Sequence, residues 1–190
     1  MLVFKMKNIF LNYFTQNYYI EDDKVQFRLL NPDKDDICSK FSIDDWNMIF
    51  SDVDEQTIKE WDDYIDRILL VAIDKTTNKD FGFICIQESH ITPLDVSFHG
   101  GVWNHNLKHN ILAFEAANLI LHFLVHNGMN VFVTCYKSNE KADRFQKGLG
   151  FIEYYCDEKL SYKRLSKEKL NTNIIYKKKK IEKYESSLST

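Results

Sequence analysis

Glycine and proline are scarce in this chain of 190 residues: there are six glycines and two prolines, and no glycine at all between Asn104 and Leu124. With so few chain-breaking residues, no low-complexity linker and no internal repeat interrupts the chain before its C-terminal end, and one domain with a real core is expected. No stretch reaches the roughly 18 consecutive apolar residues of a membrane-spanning helix, so no contact with a membrane is expected. The N-terminal MLVFKMKNIFLNYF is apolar but aromatic and broken by lysines. It lacks an apolar run ending in a small-residue cleavage site and is not read as a signal peptide. The four cysteines, Cys38, Cys85, Cys135 and Cys156, form no CxxC pair. That pattern excludes the usual zinc and dithiol motifs and fits reduced, buried thiols in a cytoplasmic protein.

Charge is present but unevenly placed. The formal net charge is -3, yet from Lys163 to Thr190 nine Lys/Arg face three acids, giving +6 and leaving -9 on the rest. A basic end on an acidic body implies an electrostatic partner, a tail folded onto its own domain, or plain solvated lysines. Three segments are expected: an extension over 1–23, a domain over 24–165 and a basic tail over 166–190. A protein partner is expected on that tail, within a larger assembly. The run Lys177–Lys180 also suggests nucleic acid, but without interleaved aromatics or a reading helix it is a weak footprint.

Within the domain, KVQFRLL (24–30) reads as a strand stopped by Asn31-Pro32, followed by helical patterns after Asp35 and over Asp54 to Ile65. RILLVAID (67–74) and FGFICIQES (81–89) flank the turn KTTNKD and read as a hairpin, with LDVSFHGGV (94–102) the next strand. A helix from about Leu112 to His126 is apolar on most sides, with Glu115, Asn118, His122 and His126 in one polar stripe, and Gly128 ends it. NVFVTCY (130–136) is a buried strand, NEKADRFQKGLG (139–150) a helix capped by Asn139, and FIEYYCDE with LSYKRLS a closing hairpin. The fold class is α/β, a mixed, mostly antiparallel central sheet with helices on both faces.

The stretch NEKADRFQKGLGF, with VFVTCYKS before it, resembles the end of the Gcn5-related N-acetyltransferase (GNAT) superfamily core, N-x-x-A-x-x-F-Y-x-K-x-G-F, at Asn139, Ala142, Phe145, Gly150 and Phe151. The resemblance implies the GNAT (acyl-CoA N-acyltransferase) fold over about 24–165. It also implies that acetyl-CoA lies in a V-shaped opening between the fourth and fifth strands, its pyrophosphate on amides opening the next helix. The cofactor positions are then Val102, Lys108, His109, Asn110, Ile111 and Asn139. Two departures stand out. The loop Leu107 to Leu112 lacks both glycines of the family's pattern, with Asn110 left to supply a left-handed backbone and Lys108 and His109 to supply charge. Gln146 stands where the family often has a Tyr that protonates the departing thiolate; Tyr136, at the end of the fifth strand, is the candidate to replace it, against the reading of a strand-end Tyr as packing.

His99 is the candidate general base. Asp95, Ser97 and His99 share one strand face, but such neighbours lie roughly 6.5–7 Å apart, beyond hydrogen-bond reach for a triad. His122 and His126 have metal-ligand spacing but belong to the polar stripe, so no metal is expected. Cys135 reads as a core thiol. FHGGVWN resembles the fourth strand of GNAT-like proteins encoded among structural genes of tailed phages. That likeness implies a pseudoenzyme, a structural or interaction component of a phage virion with no cofactor. The alternative is an active acetyl-CoA-dependent transferase acting on an amine.

Overall fold

In a computed structural model the described residues are 5–170 apart from 18, 32, 51–66, 90, 91, 93 and 104–106. The side chains of 5, 107 and 108 also lie outside the description, as do the helical pattern over Asp54 to Ile65 and the tail beyond 170.

The alternating and continuous apolar runs become one eight-stranded sheet, with helices contributed from both sides. The elements are α1 (Lys5–Gln16), β1 (Ile20–Glu21), β2 (Val25–Leu29), a 3-10 turn (Cys38–Lys40), α2 (Ile43–Phe50), β3 (Arg67–Asp74), β4 (Lys79–Glu88) and β5 (Asp95–Val102). They continue as α3 (Leu107–His126), β6 (Asn130–Tyr136), α4 (Glu140–Leu149), β7 (Phe151–Cys156) and β8 (Leu160–Leu165). The strand order is β1-β2-β3-β4-β5-β6-β8-β7, antiparallel everywhere except the parallel β5–β6 pair. Among the described residues the expected strands and the helices around 112–126 and 139–150 follow one another as expected, with α1 and β1 added ahead of the first expected strand.

Local chemistry fixes the corners. Asp74, at the end of β3, accepts hydrogen bonds from the Thr76 amide (2.9 Å) and the Thr77 hydroxyl (3.0 Å), and Asn78 takes the left-handed φ of 53° that turns the chain into β4. Asn139 caps α4 by accepting from the Ala142 amide at 3.0 Å, and Gly150 ends that helix at φ 100°.

On one face of the sheet, α3 and α1 bury Ile120, Leu121, Leu124, Met6 and Phe10 against Phe27, Leu70, Ile86 and Val131. The N-terminal helix is therefore part of the core: Phe10 meets Phe123 at 4.9 Å, and the buried Glu88 carboxylate accepts the Met6 amide at 3.0 Å in the first turn of α1. On the opposite face α2 lays Trp46 over Phe83 and Cys85, with Phe41, Ile49 and Phe50 packed around them. Gly101 of β5 lies beneath this layer, where a Cβ would come within 2.8 Å of Ile49 Cδ1 and 2.9 Å of Phe41 Cζ. The second glycine of HGG is thus the space that lets α2 approach the sheet. No helix among the described residues is long and apolar enough to cross a membrane.

Candidate functional site

The sheet opens at the one parallel pair among the described residues. Strands β5 and β6 pair over three positions, Asp95–Asn130, Val96–Val131 and Ser97–Phe132, and there the ladder between them stops. Each strand continues under the hold of its other neighbour: β5 along β4 as far as Val102 opposite Gly82, β6 along β8 as far as Tyr136 opposite Leu160. The two halves of a twisted sheet, held from opposite sides, diverge. Among the described residues a cavity of about 840 Å³ occupies the split.

The β5 wall carries His99, Gly100, Gly101 and Val102 into this cavity. The His99 ring is stacked on Phe50 (4.8 Å between centroids), and its Nδ1 lies 3.3 Å from the Ile49 carbonyl. A carbonyl only accepts, so Nδ1 carries the proton and Nε2 the lone pair. Burial lowers the imidazole to about 4, against the pull of the Ile49 carbonyl and with further lowering from Arg67. His99 is thus uncharged at neutral pH and a weak base. Asp95 is occupied elsewhere: its Oδ1 accepts from Asn130 Nδ2 at 2.9 Å, pinning the start of the split.

Of the other candidate residues, Val102, Asn110 and Asn139 meet around the cavity. Tyr136, His109 and Ile111 do not line it. Tyr136 is half-buried at the end of β6, the His109 ring stacks on Phe81 at 5.5 Å, and Ile111 is 53% exposed. The Lys108 side chain lies outside the described residues.

One correction concerns the loop expected over 107–112. These residues are the first turns of α3, which begins at Leu107, and Asn110 does not adopt a left-handed backbone; Asn78 is the one non-glycine with positive φ among the described residues. With no glycine or proline to interrupt it, Leu-Lys-His-Asn-Ile-Leu propagates the helix backwards instead of stopping it. What the cavity meets here is a helix beginning, whose first amides have no intrahelical partner and whose dipole is positive.

The β6 wall holds a group that the sequence reading passed over. Lys163 of β8 is fully buried, with Nζ 2.9 Å from Gln146 Oε1, 3.1 Å from Asp143 Oδ1 and 3.1 Å from Cys135 Sγ. Asp143 also takes Lys147 Nζ at 2.7 Å. The Lys147 ammonium, and after it Lys163, hold the Asp143 carboxyl below its ordinary range despite burial. Cys135 and Gln146 both line the cavity. The signal was in the pattern: in LSYKRL, Ser161, Lys163 and Leu165 are the inward set, so a lysine stands at a core position of a strand.

No family model matches the chain, and no curated protein sequence does. Solved structures do. The apo form of FdhC, described as a nucleotide-linked sugar GNAT, superposes with a TM-score of 0.63 at 20% identity, over 84% of this chain and 96% of that one. A GCN5-related N-acetyltransferase from Brucella melitensis gives 0.59 at 15% identity, over 80% and 79%. A spermidine N-acetyltransferase chimera, from Vibrio cholerae and hSSAT, gives 0.53 at 14%, over 77% and 97%. The chain has the GNAT fold. The β5–β6 split stands where the resemblance implied the V-shaped opening.

Proposed function

We propose that this protein is an acyl-CoA-dependent N-acyltransferase, moving an acetyl group to an amine. The observation that carries the reading is the split between β5 and β6, with its cavity of about 840 Å³ beside the opening turn of α3. An extended arm bearing amide groups fits between two strands that have stopped pairing with one another, since it meets strand edges there. A pyrophosphate fits at the start of α3, where amides and the helix dipole favour an anion without any glycine nest. Val102, Asn110 and Asn139 would hold the molecule, which supplies an activated acyl thioester. His99, neutral with its lone pair on Nε2, receives a hydrogen bond from the acceptor amine and orients it; at about 4 it is too weak to strip an ammonium, so the amine enters uncharged.

A second reading, a GNAT-fold structural component of a phage virion with a lapsed site, draws on Gln146. Its carbonyl is taken by Lys163 at 2.9 Å, and it offers no titratable proton to a leaving group. One titration separates the two. Acetyl-CoA added to the full chain in a calorimeter is expected to bind in the micromolar range, and Asn110→Glu, which adds a negative charge at the α3 start, to weaken it about tenfold. No heat at millimolar ligand would remove the transferase reading and leave the structural one.

A further inference from the structure

The cavity passes through the split from one face of the sheet to the other, and its two ends differ in chemistry. Alternation along β5 and β6 sends Phe98 and Val133 towards α3, and His99 and Thr134 towards the side of α2. Asn110 of α3 and Asn139, Lys141 and Arg144 of the α4 turn make the first end polar, and the proposed acyl carrier takes it. The α2 end is apolar: Phe41, Met48, Ile49 and Phe83 line it beside His99. Asp45, Met48 and Ile49 fall three and four positions apart and so present one face of α2 to the cavity. The Phe41 ring is held by Trp46 (5.3 Å), Phe83 (5.6 Å) and Trp103 (6.2 Å), all edge to face, which makes the wall stiff and aromatic. Met48 stands 43% exposed at its rim.

Charge decides what this end takes. Asp45 is the one carboxylate among the described residues that line the cavity, and it is committed. Its Oδ2 accepts from the Ser42 hydroxyl at 2.7 Å and the Ser42 amide at 3.1 Å, closing a capping box at the start of α2. The lining cations Lys141 and Arg144 outnumber it, so an ammonium meets a field of its own sign. Nor does the wall hold a base to neutralise one. The His99 ring, at about 4, does not take a proton from an aliphatic ammonium, whose ordinary value is about 10.4 as in lysine.

We infer that the acceptor is a weakly basic aromatic amine, its ring laid against Phe41, Met48 and Ile49 and its nitrogen directed to His99 Nε2. The inference rests on the transferase reading and names the substrate class of that site. Conjugation of the nitrogen lone pair with a ring keeps such an amine uncharged at neutral pH, and a flat ring gains from edge-to-face contact with Phe41. In the transfer the nitrogen attacks the thioester carbonyl carbon, a carbon–nitrogen bond forms and the carbon–sulfur bond breaks. The nitrogen becomes acidic as it bonds to carbon, so a weak base suffices: one N–H proton leaves through His99 and ends on the departing thiolate. No oxidant or reductant is consumed.

The test gives the full chain acetyl-CoA and three acceptors in turn: p-toluidine, cyclohexylamine and spermidine. The first two have rings of like size, but only the first is flat and uncharged at neutral pH. Product is counted by mass spectrometry and by release of the CoA thiol. The kcat/KM for p-toluidine is expected to exceed that of either other amine about tenfold or more. Met48→Glu, which places a carboxylate at the exposed rim, is expected to cut this preference about tenfold, through a higher KM for p-toluidine and a lower one for cyclohexylamine. Equal turnover of the three by the parent chain, or a preference for spermidine or cyclohexylamine, would overturn the acceptor class and leave transfer to an amine standing. Product from none of them by a chain that binds acetyl-CoA would overturn it as well. A chain that binds no acetyl-CoA in the calorimeter removes the transferase reading, and this inference with it.

Discussion

On the β5 side of the cleft, His99 lies under an aromatic layer, stacked on Phe50 with one nitrogen bonded to a backbone carbonyl, and the result is a ring that stays neutral. Across the split, Lys163 lies deeper still, at 0% exposure, but with three acceptors around its nitrogen. Both walls bury a basic side chain. One does so by suppressing the charge, the other by surrounding it. Burial with a single neutral acceptor leaves desolvation dominant, whereas a carboxylate, an amide oxygen and a sulfur together replace the water that an ammonium gives up. The β5 wall is therefore shaped for packing and for accepting a hydrogen bond, and the β6 wall for holding a buried ion pair.

The contrast breaks most readily at Lys163. Lys163→Met keeps the volume but leaves the Gln146 carbonyl without its buried donor and removes one of the two cations on Asp143, at a cost of about 3 kcal/mol. Urea unfolding reads this as a lower midpoint with an unchanged slope. The double variant Lys163→Met/Gln146→Leu should lose less than the single one, because no buried carbonyl is then left unpaired. If the single variant proves as stable as the parent, the three contacts hold nothing in place and the comparison between the walls fails.

His99 breaks it through pH. Its folded-state value of about 4 lies below the ordinary 6.5, so between these values the unfolded chain binds the proton and the folded one does not. The contribution is fully present above about pH 6.5 and is lost as pH falls towards 4, amounting to roughly 3 kcal/mol at the acid end. His99→Phe, which keeps a ring against Phe50, should remove this part of the acid limb. The gap between the stability curves of parent and variant should therefore change by that amount from pH 7 to pH 4. A gap constant with pH would mean that the ring is solvated, and that α2 does not close over it as described.

How far these walls were legible beforehand follows from what each side chain needs. Strands β2 to β8 and the α4 cap could be read because alternation and a capping Asn are local signals, carried within ten residues of chain. The opening itself could be placed only through the likeness at Asn139, Ala142, Phe145, Gly150 and Phe151, since nothing local says that β5 and β6 part after three pairs. The start of α3 was set five residues late, because the missing glycines were read as a damaged loop when their absence lets the helix begin at Leu107. Lys163 was counted with the basic end of the chain. Its inward register is visible in LSYKRL, but its partners come from β6 and α4, and only the fold brings Cys135, Asp143 and Gln146 to it. The same holds for His99, whose nearness to the cleft could be read from β5 while the lid that keeps it neutral comes from α2, fifty residues earlier in the chain.

The smallest effect sharpens the comparison at the point where the β6 wall ends. Asn139 does two things: it caps α4 through the Ala142 amide at 3.0 Å and lines the cavity. Asn139→Ala should cost about 1 kcal/mol, the usual value of a lost cap. Asn139→Asp should retain that stability, since the two residues cap equally well and a negative charge suits a helix N-terminus. The two roles then separate. If the cavity receives an anionic molecule, the added carboxylate repels it and affinity for acetyl-CoA falls about fivefold at unchanged unfolding midpoint. If affinity and midpoint stay together in both variants, Asn139 is a helix cap alone and takes no part in holding a ligand.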